Sequence, residues 1–309
     1  MKNIYEAQSA NKRKSAVVVV FFVIFITLTI YIMLQAFTAY IGSPPGGLGV
    51  VGIALIISGL LSLGGYYYSD TIVLKISKAR PSSREKDFNF YTVAENMSIA
   101  SGLPKPKLYV IDDTAMNAFA TGRDPDHAVV CATRGLLDNL NRTELEGVIA
   151  HELSHIKNYD TRLMSVVAVL VGSVALLGDM FLRMSFYGRG GKRSSKNNSA
   201  AILIILGLVF AILSPIIARL IRLAISRRRE FLADASSVAV TRQPSGLISA
   251  LQKISKDTEP LEVANKATAH LYIANPFKKK TKTVISKFSG MFNTHPPVTE
   301  RIKQLQSMS

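Results

Sequence analysis

Apolar positions in this chain are gathered into four long runs, and the polar ones fill the stretches between them. Ala16 to Ile41, Leu48 to Tyr68 and Ala200 to Ala218 carry no charge, and Leu163 to Leu182 carries one, Asp179. At about 1.5 Å per helical residue each run covers the roughly 30 Å of a bilayer core. Lipid lets a spanning segment satisfy its backbone only within its own helix, so the pattern predicts four transmembrane helices in two hairpins. Lys2, Lys12, Arg13 and Lys14 precede the first run much as a basic leader would. The run is longer than the 7 to 15 apolar residues of a cleaved signal, and it is read as an anchor that stays.

Between the hairpins the periodicity changes. "NFYTVAENMSIASG" has helical spacing and a glycine stop, while "KPKLYVID" and "HAVVCAT" read as short strands. "RTELEGVIAHELSHIKN" reads as a helix with Thr143 near its start, and Arg227 to Val240, "PSGLISALQKISKD" and "PVTERIKQLQ" as three more. The basic stretch "NPFKKKTKTVISKFSGMFNTHPP" reads as a loop over whatever site these elements build. The expected organisation is an N-terminal tail over 1–15, a transmembrane hairpin over 16–68, a first soluble part over 69–161, a second hairpin over 162–226 and a second soluble part over 227–309.

Composition agrees with this division. Of 309 residues 48% are hydrophobic, and 37 Lys+Arg against 21 Asp+Glu give a formal net charge of +16. The cations crowd beside the spans, in "NKRK", "LKISKAR" and "RLIRLAISRRR". That placement fits the positive-inside bias and anionic lipid head groups, and no zinc-finger, RNA-binding or helix-turn-helix pattern supports a nucleic-acid partner. Cys131 is the only cysteine, which excludes an intrachain disulfide. Counting flanks puts the N-terminus and residues 70–160 in the cytoplasm and "GSPPGG" outside. "GRGGKRSSKNNS" then faces outward despite its four cations, a conflict accepted because both soluble parts must share a side for one site to close.

That site begins at "HELSH". On a helix, positions i and i+4 share a face, so His151 and His155 present two imidazoles to one ion. Glu152 sits at the edge of the same site, where it can take a proton from a metal-bound water, the H-E-x-x-H arrangement of zinc peptidases. A catalytic zinc needs a third protein ligand. In "RRREFLADASSV", Glu230 can supply it and Asp234, one turn on, can accept the other N–H of a ligating imidazole. The bland readings are a chance histidine pair on a surface helix and ordinary surface charges.

"NAFATG" at 117 to 122, "HELSH" at 151 to 155, "RRREFLADASSV" at 227 to 238 and "THPPVTERI" at 294 to 302 occur in the order, and with spans placed, as in the HtpX heat-shock group of the M48 family of membrane zinc metalloproteases. The chain resembles that group over nearly its whole length, in the four-span prokaryotic form. The resemblance implies an α+β, mainly α, integral membrane protein whose zincin-like (gluzincin) catalytic domain is split around the second hairpin. It implies one zinc ion held by His151, His155 and Glu230, with Glu152 as general base and Asp234 orienting His151. It places Asn117 and Ala118 on the edge strand that pairs an extended peptide, and makes His295 and Arg301 the pair that polarises the carbonyl and steadies the oxyanion. Read without it, "NAFATG" is a turn and "HPP" a rigid loop.

The expected protein is a multi-pass cytoplasmic-membrane endopeptidase with its active site facing the cytoplasm, acting on misfolded or damaged membrane proteins. A narrower processing peptidase resembling CAAX prenyl proteases is the rival enzyme, to be separated by a substrate panel. A scaffold with a vestigial zinc site should have lost Glu152, and a transporter should carry charged or broken spans at the midplane. Hydrolysis needs no nucleotide, and no P-loop occurs. The oligomeric state is not readable from the sequence.

Overall fold

The computed structural model describes residues 4–40, 48–172, 227–264, 267–277 and 296–308. The fourth apolar run, the second half of the third, the loop between them, and residues 278–295 lie outside the described residues.

Two long helices open the chain, α1 (Ile4–Tyr40) and α2 (Leu48–Tyr67), followed by the short α3 (Ser69–Ile76). Helix α1 begins at Ile4, so most of the expected tail over 1–15 is helical and continuous with the apolar run; nothing in "IYEAQSANKRKSA" breaks a helix. Val17, Val20, Ile24 and Leu28 form an exposed stripe on α1, and Ile53, Ile56, Leu60 and Leu63 one on α2. Among the described residues no single helix is long and apolar enough to cross a membrane; the bent pair Val51–Tyr67 and Ser69–Ile76 passes by length and composition.

The sheet has four strands in the order β1-β2-β4-β3: β1 (Arg80–Pro81), β2 (Lys107–Ile111), β3 (Ala118–Thr121) and β4 (Val129–Thr133). β2 and β4 run parallel, with Tyr109 opposite Cys131, and β3 returns antiparallel with Phe119 opposite the same cysteine. "NAFATG" is therefore strand rather than turn from Ala118, with Gly122 at φ 129, where a Cβ would come within 2.4 Å of the His127 carbonyl oxygen. Burial of every β4 side chain explains its unbroken apolar run.

Helix α4 (Phe88–Ser101) stops at Gly102, in the left-handed conformation, as its sequence predicts. After the short α5 (Arg134–Asn139) comes α6 (Arg142–Lys157), which carries "HELSH". Its cap is Asn141: the side chain accepts from Glu144 N at 3.0 Å and Glu144 reaches back to Asn141 N at 2.8 Å. Thr143, expected near the start, lies inside the first turn. Residues 160–172 form α7, buried against α1, α3 and the sheet. The remaining helices are α8 (Arg227–Thr241), α9 (Pro244–Lys256) and α10 (Val298–Gln306). One apolar core gathers α4, α6, α9, α10 and one sheet face around the histidine helix; the other gathers α1, α3, α7 and the opposite face.

Candidate metal centre

Helix α6 brings His151, Glu152 and His155 into the interior at 1%, 3% and 5% exposure, a depth at which unpaired polar groups are costly. Helix α8 lies against α6, and Ser237 Oγ, donating to the Gly147 carbonyl at 2.8 Å, fixes their approach. The approach sets Glu230 and Asp234, both buried, over the two imidazoles.

His151 Nε2 and His155 Nε2 stand 3.2 Å apart, and Glu230 Oε2 and Oε1 lie 3.8 and 3.5 Å from them respectively. Ligands about 2.0–2.1 Å from a tetrahedral zinc are separated by roughly 3.3 Å, so the three donors fit one ion of that size. Each imidazole is held from behind. His151 Nδ1 is 3.0 Å from Asp234 Oδ1, and His155 Nδ1 is 3.1 Å from Asp160 Oδ2. With both Nδ1 atoms donating, the two Nε2 lone pairs face each other, an arrangement that needs a cation between them.

Charge gives the same answer. Four buried carboxylates, Glu152, Asp160, Glu230 and Asp234, face two buried guanidiniums, Arg229 and Arg301, an excess of two negative charges that a divalent ion neutralises. Burial pushes His151 down to about 4, and Arg301 adds to the fall. Burial also works against a charged His155, but Asp160, Glu230 and Glu152 lift it to about 9. His155 therefore favours a proton and His151 does not, and a metal bound to both imidazoles would displace that proton. Arg301 and His151 together hold Asp234 at about 2, against burial that would raise it.

Arg301 is 1% exposed, although it opens a surface helix. Its guanidinium grips Asp234 with two bonds, Nε to Oδ2 at 2.9 Å and Nη2 to Oδ1 at 2.6 Å, and Nη1 lies 3.8 Å from Glu230 Oε2. Its partner is thus a buried carboxylate on α8, not its neighbour Glu300 on the same helix. His295 lies outside the described residues.

Asn117 and Ala118 stand at the β3 edge, and both are engaged by the segment 267–277. Ile273 N donates to the Ala118 carbonyl at 2.9 Å; the Asn117 amide donates to the Ala274 carbonyl at 3.1 Å and accepts from Ala274 N at 3.3 Å. Residues that the sequence did not single out complete the centre. Asp160 is five positions past His155 and beyond the helix cap, so no helical spacing pointed to it. The chain brings it back through Tyr159, a non-glycine residue at φ 59. Arg229 Nε lies 3.2 Å from Asp160 Oδ1, and Asn11, from α1, bonds both.

Residues 85–309 match the model of peptidase family M48. The chain is 45% identical over 304 residues to the protease HtpX homolog of Dictyoglomus thermophilum, covering 98% of this chain and 94% of that protein. It is 44% identical over 310 residues to the protease HtpX homolog of Thermoanaerobacter pseudethanolicus, covering 100% and 99%. Among solved structures it aligns with S. mikatae Ste24p at a TM-score of 0.46 and 17% identity, over 90% of this chain and 62% of that one.

Proposed function

The chain belongs to peptidase family M48, and from that premise we propose that it is a membrane-bound zinc endopeptidase that cuts exposed segments of misfolded membrane proteins on the cytoplasmic side. The observation that carries the reading is the convergence of His151 Nε2, His155 Nε2 and a Glu230 carboxylate oxygen at the separations a tetrahedral ion requires, inside a pocket with two surplus negative charges. The exposed apolar stripes on α1 and α2 support the membrane location.

In this reading His151, His155 and Glu230 hold one zinc ion, which supplies Lewis acidity toward water and the scissile carbonyl. Glu152, next to His151 on α6 and at the edge of the site, accepts the proton of the attacking water and passes it to the leaving amine. Asp234 fixes the His151 tautomer, and Arg301, spending two donors on Asp234, keeps that carboxylate in place. His295, with Arg301, is the proposed partner of the oxyanion. Asn117 and Ala118 mark the proposed peptide-pairing edge; a substrate there either displaces residues 273–274 or pairs further along β3.

The test is metal analysis of detergent-purified protein beside cleavage of an unfolded reporter. Wild type should hold about one zinc per chain, and Glu152→Gln should keep it while losing cleavage by about 10² to 10⁴. Full turnover in zinc-loaded Glu152→Gln would end the mechanism.

A further inference from the structure

Asn11 lies within α1, ahead of the apolar run, and is 3% exposed. Its amide is committed on every side. Nδ2 donates to the Asn158 carbonyl at 2.9 Å and to Asp160 Oδ1 at 2.8 Å, and Oδ1 accepts from Arg229 Nη1 at 3.1 Å. Three parts of the chain meet at this one side chain: α1, the α6–α7 junction, and α8. The Asp160 carboxylate divides its oxygens accordingly, Oδ1 to Asn11 and Arg229, Oδ2 to His155 Nδ1. The stretch that matches family M48 begins at residue 85 and leaves Asn11 outside it.

We infer that Asn11 is a positioning residue for the metal centre, holding Asp160 so that its Oδ2 accepts from His155 Nδ1 and leaves His155 Nε2 as the lone-pair donor. The inference rests on the reading of His151, His155 and Glu230 as zinc ligands. The chemistry singles out asparagine. The position needs N–H groups toward a carboxylate and a carbonyl, and an acceptor toward a guanidinium, which a primary amide supplies together. Aspartate has the shape and the acceptor but no donor, and it sets a second negative charge against Asp160. The first membrane-proximal helix is thereby built into the metal centre, and residues 85–309 alone lack one of its supports.

The experiment uses full-length protein in detergent, with zinc affinity measured by competition against a chromophoric chelator and melting measured with and without zinc. Asn11→Ala should bind zinc about tenfold more weakly, the low end of the range for groups that orient ligands, and its zinc-dependent rise in Tm should shrink. Asn11→Asp, which keeps the volume, should be weaker than Asn11→Ala; a group that only fills space would leave it like wild type. In an Asp160→Ala background Asn11→Ala should cost no further affinity, because the two act through one path. Wild-type affinity in both Asn11 variants overturns the inference, and so does an undiminished tenfold loss in the Asp160→Ala background. A wild type that binds no zinc instead refutes the ligand assignment on which it rests.

Discussion

Gly147 lies one helical turn before His151, and replacing it with alanine sets two physical effects against each other. Alanine is favoured over glycine inside a helix by about 0.8–1.0 kcal/mol, so propensity alone predicts a more stable protein. The packing predicts the reverse. A Cβ at Gly147 would stand 2.7 Å from Leu247 N and 2.9 Å from Leu247 Cα, on α9, where ordinary contact starts at 3.4 Å. Relief takes a shift of at least 0.7 Å, the difference between 3.4 and 2.7 Å, and the atoms that must yield are backbone. Nor can α6 simply rotate, since the Gly147 carbonyl is held by Ser237 Oγ of α8. Overpacking of this kind costs about 1–3 kcal/mol, which outweighs the propensity gain and leaves a destabilisation of up to about 2 kcal/mol. The displaced turn carries His151, and a misplacement on the order of 1 Å at a reacting site can cost about 100-fold in rate. The assay is melting of zinc-loaded protein together with reporter cleavage. Gly59→Ala serves as the control, because a Cβ there meets nothing within 4 Å and shows propensity alone. If Gly147→Ala melted higher than wild type and cleaved normally, the close approach of α6 and α9 would be wrong.

Glu230→Ala should lose both metal and cleavage, whereas Asp234→Ala should weaken zinc binding or turnover by about 10- to 100-fold; equal metal loss in the two would exchange their roles. Arg301→Lys keeps the charge but not the paired bonds to Asp234, so zinc affinity and turnover should both fall. Arg301→Met should destabilise the protein by up to about 3–5 kcal/mol, because buried Asp234 keeps only His151 as a partner, and unchanged turnover in either variant would remove Arg301 from the site. Cys131 is fully buried and burial raises its thiol well above the usual range, so the native wild type should resist alkylation. Against that silent background a cysteine at Ser194 should react with an impermeant reagent in intact cells and one at the exposed Lys86 should not; the opposite labelling would invert the topology.

The sequence by itself determined what depends on local spacing. The helix at "HELSH", the glycine stop at Gly102, the strands around Tyr109 and Cys131, and the i, i+4 pairs His151/His155 and Glu230/Asp234 follow from turns of one helix or the alternation of one strand. Both faces of the candidate metal centre were legible for that reason, before anything brought them together. Tertiary structure alone decided how they meet. It set Arg301 on Asp234 inside the protein, where its position at a helix start had allowed a surface pair. It returned Asp160 to His155 through a left-handed Tyr159, and it drew Asn11 from a helix 149 positions away in sequence onto the same carboxylate. It also laid residues 273–274 along the Asn117 edge. These contacts carry no periodicity, because they are set by how buried charges must be matched once the helices pack. A buried carboxylate requires a donor, but nothing in its neighbouring residues says which distant segment will supply one.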